Sequence, residues 1–199
     1  MKKFELTNEF VTNMFGTKLF RIRALVEFGD VEAGELGGYV EKESNLGHDD
    51  NAWVYDNARV YGNAWVYGDA QVSGDAPVYG NARVCGNAWV YGNAQVSGNA
   101  RVYGNARVCG DARVCGNGDY AYAHGFGSVN RTTTFFRLKD GGVGVRCGCF
   151  YGTLAQFRDK IRETHGETKK AQEYLMLADL MELRFEEDEN EVGNRKYVE

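Results

Sequence analysis

The chain has 199 residues and a net charge of −5, with 23 Lys and Arg against 28 Asp and Glu. That length allows one domain or one solenoid with caps, and the acidic balance argues against nucleic acid as a partner. With no 18-residue apolar run and no N-terminal apolar stretch, the expectation is a cytoplasmic protein with no membrane contact, and its five Cys, an odd number, are expected to be free thiols.

Residues 1–44 form the first unit. KKFELT and KLFRIRAL alternate polar and apolar residues and are predicted as the two strands of an antiparallel hairpin, with NEFVTNMFGT between them. The Gly-rich FGDVEAGELGGYVE that follows is turn-like. The expected role of this unit is an N-terminal cap.

Residues 45–118 form the second unit. From Asn51 to Gly116 run eleven hexads without insertion: NAWVYD, NARVYG, NAWVYG, DAQVSG, DAPVYG, NARVCG, NAWVYG, NAQVSG, NARVYG, NARVCG and DARVCG. A fixed short period decides the fold before propensity does. Ala and Val sit two apart, so both face one side of an extended strand, and their neighbours face the other. Gly followed by Asn or Asp supplies a corner, because these residues tolerate left-handed backbone conformations. Four-residue strands joined by two-residue corners must wind into a coil, with strands stacked about 4.8 Å apart. A solenoid leaves the ends of its core open, hence the need for caps. Val40 and Leu46 fall in phase with the Ala column, which predicts a degenerate first coil near Val40. Pro77, the single Pro, is predicted to point outward and to remove one ladder hydrogen bond.

The hexad Val60-Tyr61-Gly62-Asn63-Ala64-Trp65 resembles the hexapeptide-repeat left-handed parallel β-helix family, whose pattern is aliphatic, any, Gly, Asn or Asp, small, any. The resemblance implies a left-handed coil of three hexads, so residues 18 apart stack on one face. The outward columns are then Trp53, Gln71, Trp89, Arg107 beside Tyr55, Ser73, Tyr91, Cys109; Arg59, Pro77, Gln95, Arg113 beside Tyr61, Tyr79, Ser97, Cys115; and Trp65, Arg83, Arg101 beside Tyr67, Cys85, Tyr103. Outward aromatics, represented by Trp53, Tyr55, Trp65, Tyr67, Trp89 and Tyr91, suggest an interface and a homo-oligomer, a homotrimer being favoured as in many relatives of this fold. Cross-coil ring stacking within one chain explains them equally well.

Residues 119–199 form the third unit. Tyr120 and Phe126 keep the phase of the Val column, which predicts a wider, irregular last coil over 117–135. TTTFFRLK and VGVRCGCF, joined by Asp-Gly-Gly, read as a hairpin. A helix over 153–164 follows from the Thr153 and Gln156 capping box, the Leu154, Phe157, Ile161 stripe and the Gly166 stop. A second helix spans 169–185, with Ala171, Tyr174, Leu175, Ala178 and Met181 on one face. The acidic tail after it, Glu186 to Glu191, is expected to be solvated. The fold class is therefore mainly β: a β-helix, a hairpin cap, and a C-terminal hairpin with two helices.

The flanks carry a second resemblance. RIRALVEFGDVEAGELGGYVE before the hexads, and GSVNRTTTFFRLKDG, VRCGCFYGTLAQF and THG after them, are similar to a family of small prophage proteins. That resemblance implies a phage or bacterial protein, one role being an accessory to phage–host conflict.

Candidate binding residues gather where the coil meets the third unit. Arg113, Tyr120, Tyr122, His124, Gly125, Phe126, Gly127, Ser128, Asn130, Arg131, Thr132 and Thr133 combine Gly-turn N–H groups, hydroxyls, guanidiniums and rings. Such a set suits a phosphate-bearing small molecule with a stackable base. The expected function is sequestration of a nucleotide-like signal, or obstruction of a host protein, without catalysis and without a cofactor. One alternative is an acyltransferase using a coenzyme A thioester, with His124 as general base, since many hexapeptide-repeat proteins are such enzymes. Another is a purely structural assembly protein. His48 is expected to face solvent in the first coil, and His165 to close a helix C-terminus. The three His do not cluster as a zinc site requires. Cys85, Cys109 and Cys115 are predicted to point outward on three different faces, and Cys147 and Cys149 to share the packed face of a strand.

Overall fold

The computed structural model describes residues 2–127 and 129–186. Its spine is a β-solenoid of nearly four coils with three faces. The first face holds β4 (Trp53–Val54), β7 (Gln71–Val72), β10 (Trp89–Val90) and β13 (Arg107–Val108). The second holds β5 (Arg59–Val60), β8 (Pro77–Val78), β11 (Gln95–Val96) and β14 (Arg113–Val114). The third holds β6 (Trp65–Val66), β9 (Arg83–Val84) and β12 (Arg101–Val102). These are the three columns that the 18-residue spacing predicts. The strands proper are two residues long, not four, although the hydrogen-bonded ladder continues past each: Tyr61 N donates to Val78 O at 3.0 Å and Asn63 N to Gly80 O at 2.8 Å. Pro77 breaks this ladder as expected, and β8 and β11 pair at Val78 and Val96 alone.

The interior explains the period. Every hexad Ala and Val is buried, from Ala52 to Val114. The corner requires a left-handed residue, and Gly74 (φ +71) shows why Gly serves: a Cβ there would lie 2.9 Å from the backbone N of Gly92 in the next coil. Corner amides add a side-chain ladder, Asn63 donating to Asn81 at 3.2 Å and Asn81 to Asn99 at 3.1 Å.

The N-terminal cap is β1 (Phe4–Thr12), β2 (Lys18–Ala24) and β3 (Leu36–Val40). β1 and β2 pair antiparallel, and β3 joins β5 in parallel, so the cap extends the second face. The hairpin is longer than predicted, because Phe10 and Val11 pair with Phe20 and Leu19, and only 13–17 turn. Val40 sits opposite Val60 and Leu46 opposite Val66, in the Val column and not the Ala column. The first coil is therefore two residues longer than the repeat. The surplus lies between Leu46 and Trp53, where Asp50 takes φ +59.

Beyond a 3₁₀ turn at Asn117–Asp119, the predicted wide coil is absent. Its place is taken by β15 (Tyr120–Phe126), which pairs antiparallel with β16 (Arg131–Arg137), followed by β17 (Val143–Cys147) and β18 (Phe150–Thr153). Tyr120 still covers the coil end, but Phe126 packs with the second core. That core lies between this sheet and two helices, α1 (Leu154–His165) and α2 (Lys169–Phe185), which match the predicted pair. Thr153 Oγ1 accepts from Gln156 N at 3.3 Å and Gln156 Oε1 from Thr153 N at 2.9 Å, closing the capping box. The tail residues 187–191 lie outside the described residues.

Three orientation assignments are corrected, two outward and one inward. Trp53 is fully buried between the Phe4 and Phe28 rings, 6.2 and 5.3 Å away, because the Gly-rich cap folds over it. Gly37 permits this, since a Cβ there would stand 2.8 Å from Trp53 Cζ2. Cys109 is buried, with Tyr151 of β18 against its neighbour Gly110. Cys149 is exposed in the turn after β17, while Cys147 Sγ accepts from Thr133 Oγ1 at 3.2 Å. All five thiols are free.

Candidate ligand cleft

On the third face, Trp65, Arg83 and Arg101 align in register, and the next outward column is Tyr67, Cys85 and Tyr103. β15 continues this surface past the last coil, and Arg184 near the end of α2 closes it. The result is a cleft of about 710 Å³ lined by Tyr67, Arg83, Cys85, Arg101, Tyr103, Asn117, Tyr120, Ala121, Tyr122 and Arg184. Its walls are braced by rings. Tyr67 stacks on Trp65 at 4.0 Å, and Tyr103 meets Tyr120 and Tyr122 edge-on at 6.4 and 5.9 Å. Tyr120 donates to the Arg101 carbonyl at 2.5 Å, and burial pushes its phenol well above the ordinary range. The neighbouring Cys85 thiol, and burial after it, raise Tyr67 as well.

The charge of the cleft is one-sided. Among the described residues, none of Arg83, Arg101 and Arg184 is ion-paired with a carboxylate. A second cleft of about 440 Å³ on the first face differs: Asp30 and Asp69 outnumber Arg107, whose guanidinium sits 5.8 Å from the Trp89 ring.

Of the residues expected to form the binding junction, Tyr120 and Tyr122 reach the 710 Å³ cleft. The others scatter. Arg113 is exposed on the second face. His124 is exposed, its Nδ1 2.9 Å from Thr132 Oγ1, and it lines neither cleft. Gly125 and Asn130 are exposed. The Phe126 carbonyl accepts from Tyr174 Oη at 3.3 Å, beside Gly127. Arg131 lies over Gly148, and Thr133 is buried. Ser128 lies outside the described residues. The physical reason is strand length: seven extended residues carry the Gly-rich turn roughly 20 Å from Tyr120. Arg83, Cys85 and Arg184 were not expected here. The 18-residue columns already place Arg83 beside Arg101, whereas nothing in the sequence announces Arg184.

The expected interface residues divide differently. Trp53 is buried; Tyr55 and Tyr91 pack against the solenoid core; Trp89 donates from Nε1 to Ser73 Oγ at 3.1 Å; Trp65, 40 % exposed, and Tyr67 stack on each other. Tyr61 and Tyr79 stack across coils at 5.0 Å and 2°. Ring stacking inside one chain thus accounts for much of the outward aromatic set. His48 is not solvent-facing: it stacks on Phe4 at 4.5 Å, its Nδ1 accepts from Lys3 N at 3.1 Å, and its Nε2 meets Glu43 at 2.9 Å. His165 ends α1 and stacks on Tyr174 at 5.9 Å. Among the described residues no cluster of side chains suits a metal ion, and no helix is long and apolar enough to cross a membrane.

The fold defines a repeat β-helix protein. Three of its segments, residues 52–68, 77–92 and 94–110, match the model of the YdcK beta solenoid repeat. All three lie within the coils, so the match concerns the repeat and not the caps. No curated protein matches the chain.

Proposed function

We propose that the protein is a non-enzymatic binding protein that holds a phosphate-bearing, nucleotide-like small molecule in the cleft between the third face and the C-terminal unit. One observation carries this reading: Arg83 and Arg101 stand side by side on adjacent strands, facing the same cleft as Arg184, with no carboxylate paired to them among the described residues. Like charges directly opposite in a sheet destabilise it. A bound anion would offset that repulsion and take charge-assisted hydrogen bonds from the guanidiniums. Tyr67, Tyr103 and Tyr122 supply faces on which a base can stack.

The wider role proposed is sequestration of a signalling nucleotide in the cytoplasm of a phage-infected host. That part rests on the resemblance of the flanking segments to prophage proteins. The test is a thermal-shift panel of cyclic and linear nucleotides, ADP-ribose derivatives and acetyl-coenzyme A. A ligand at about 100 times its Kd adds roughly 2.7 kcal/mol of stability. A shift with a nucleotide, abolished by Arg83→Ala, supports the reading. Shifts unchanged by Arg83→Ala remove this cleft as the site, and turnover of acetyl-coenzyme A would favour acyl transfer.

A further inference from the structure

We infer that the ligand of this cleft carries a planar aromatic ring that enters between Tyr67 and Tyr103, above Cys85. This rests on the binding reading above and names where its ring goes. Tyr67, Cys85 and Tyr103 occupy the same outward position of three successive coils. The neighbouring face shows what rings at adjacent levels do there: Tyr61 and Tyr79 lie parallel at 5.0 Å. At Cys85 the middle ring is missing. Two strand spacings separate Tyr67 from Tyr103, roughly 10 Å, which leaves room for one ring at about that stacking distance from each.

The rings on either side of the slot have their own partners, Trp65 stacked on Tyr67, and Tyr120 and Tyr122 edge-on to Tyr103. Arg83 and Arg101 each lie two residues from the slot positions on the same outward side, where they meet an anionic group attached to the ring. A ring joined to a phosphate chain is the chemistry of a nucleoside phosphate. The other gap flanked by Tyr at the same positions is closed. Ser73, between Tyr55 and Tyr91, is covered by Trp89, whose indole Nε1 donates to its hydroxyl at 3.1 Å. The gap at Cys85 opens on the cleft.

The experiment compares ADP with inorganic pyrophosphate on the full chain by calorimetry, with Cys85→Tyr, Cys85→Ala and Arg83→Ala as variants. The wild type is expected to bind ADP at least about tenfold more tightly than pyrophosphate, as one stacked base provides. Cys85→Tyr fills the slot, so it should lose that preference, keep pyrophosphate binding and melt no lower than the wild type. Cys85→Ala should keep the preference, and Arg83→Ala should weaken both ligands. Retention of the ADP preference by Cys85→Tyr overturns the slot and leaves the anion site standing. Equal affinity of the wild type for the two ligands does the same. Binding of neither ligand by the wild type overturns the cleft reading itself.

Discussion

Lys3 and Asp119 close opposite ends of the solenoid with opposite hydrogen-bonding roles. Each coil sends its N–H groups to the carbonyls of the next coil, as Tyr55 N does to Val72 O at 2.8 Å. The first coil therefore has carbonyls to spare, and Lys3 Nζ donates to those of Asp50 and Ala52 at 3.2 and 2.8 Å. The last coil has N–H groups to spare, and Asp119 Oδ2 accepts from Cys115 and Gly116, both at 2.9 Å. Asn45 at the first end and Asn117 and Thr134 at the last follow the same division. Asp119→Ala leaves two N–H groups without their acceptor. It should lower stability by about 1–3 kcal/mol, read from urea unfolding, with Asp119→Asn losing less.

Lys3 also predicts a pH dependence. Burial lowers its ammonium from 10.5 to about 8, against the pull of Asp50, Asp49 and Asp69. The folded state thus gives up this proton more readily than the unfolded chain. The contribution is present above 10.5 and is lost as pH falls through 8. Lys3→Met removes both donors and should be less stable throughout. The gap between wild type and variant should widen as pH rises from 8 to 10.5, because only the wild type has this proton to release. A constant gap in chemical denaturation would refute the burial argument.

Buried phenols act in the opposite direction at higher pH. Burial, above all, pushes Tyr91 and Tyr174 up to about 12, and raises Tyr120 further. The unfolded chain ionises its phenols near 10. Their stabilisation is complete below that value and is lost as pH rises from 10 toward 12. The urea midpoint should fall between about pH 9 and about pH 11, and Tyr120→Phe should reduce the fall. That variant also strands the Arg101 carbonyl, so its midpoint should start lower.

Arg101→Ala separates function from stability. Without ligand, removing one of two like charges in register should leave the melting temperature unchanged or raise it, by at most about 1 kcal/mol of stability. The shift induced by pyrophosphate should disappear. A destabilised apo variant would mean that Arg101 serves the fold.

Gly74→Ala tests the corner. The left-handed conformation alone costs a non-Gly residue about 1–2 kcal/mol, and the new Cβ would press on the Gly92 backbone. The loss should exceed that figure in thermal unfolding. Substitution of Gly118, with nothing within 4 Å of its Cβ position, should do much less.

The helices of the third unit were legible because their signals are local: Thr153 with Gln156 starts one, Gly166 ends it, and the apolar stripes follow a 3.6 period. Tyr120 shows where local phase stops being informative. It holds the Val position of one more coil, yet the chain leaves the coil there, because Ala121 to Ala123 pair with Phe135 to Thr133 of a strand still to come. The residues expected at the binding junction are spread apart for the same reason. They are close in sequence, but an extended strand separates their two ends.

What the sequence determined by itself is the coil. Inward Ala and Val, the Gly corners and the three outward columns all follow from contacts at one fixed offset, so a period can be read without any knowledge of distant pairing. Only the tertiary structure decided which outward side chains stay outward. Trp53 vanishes beneath Phe4 and Phe28, Cys109 lies beneath the C-terminal sheet, and Arg184 joins Arg83 and Arg101 across the cleft. Those contacts join segments with no repeat between them. They form because each open end of a solenoid must be covered, and the two ends need opposite hydrogen-bonding partners.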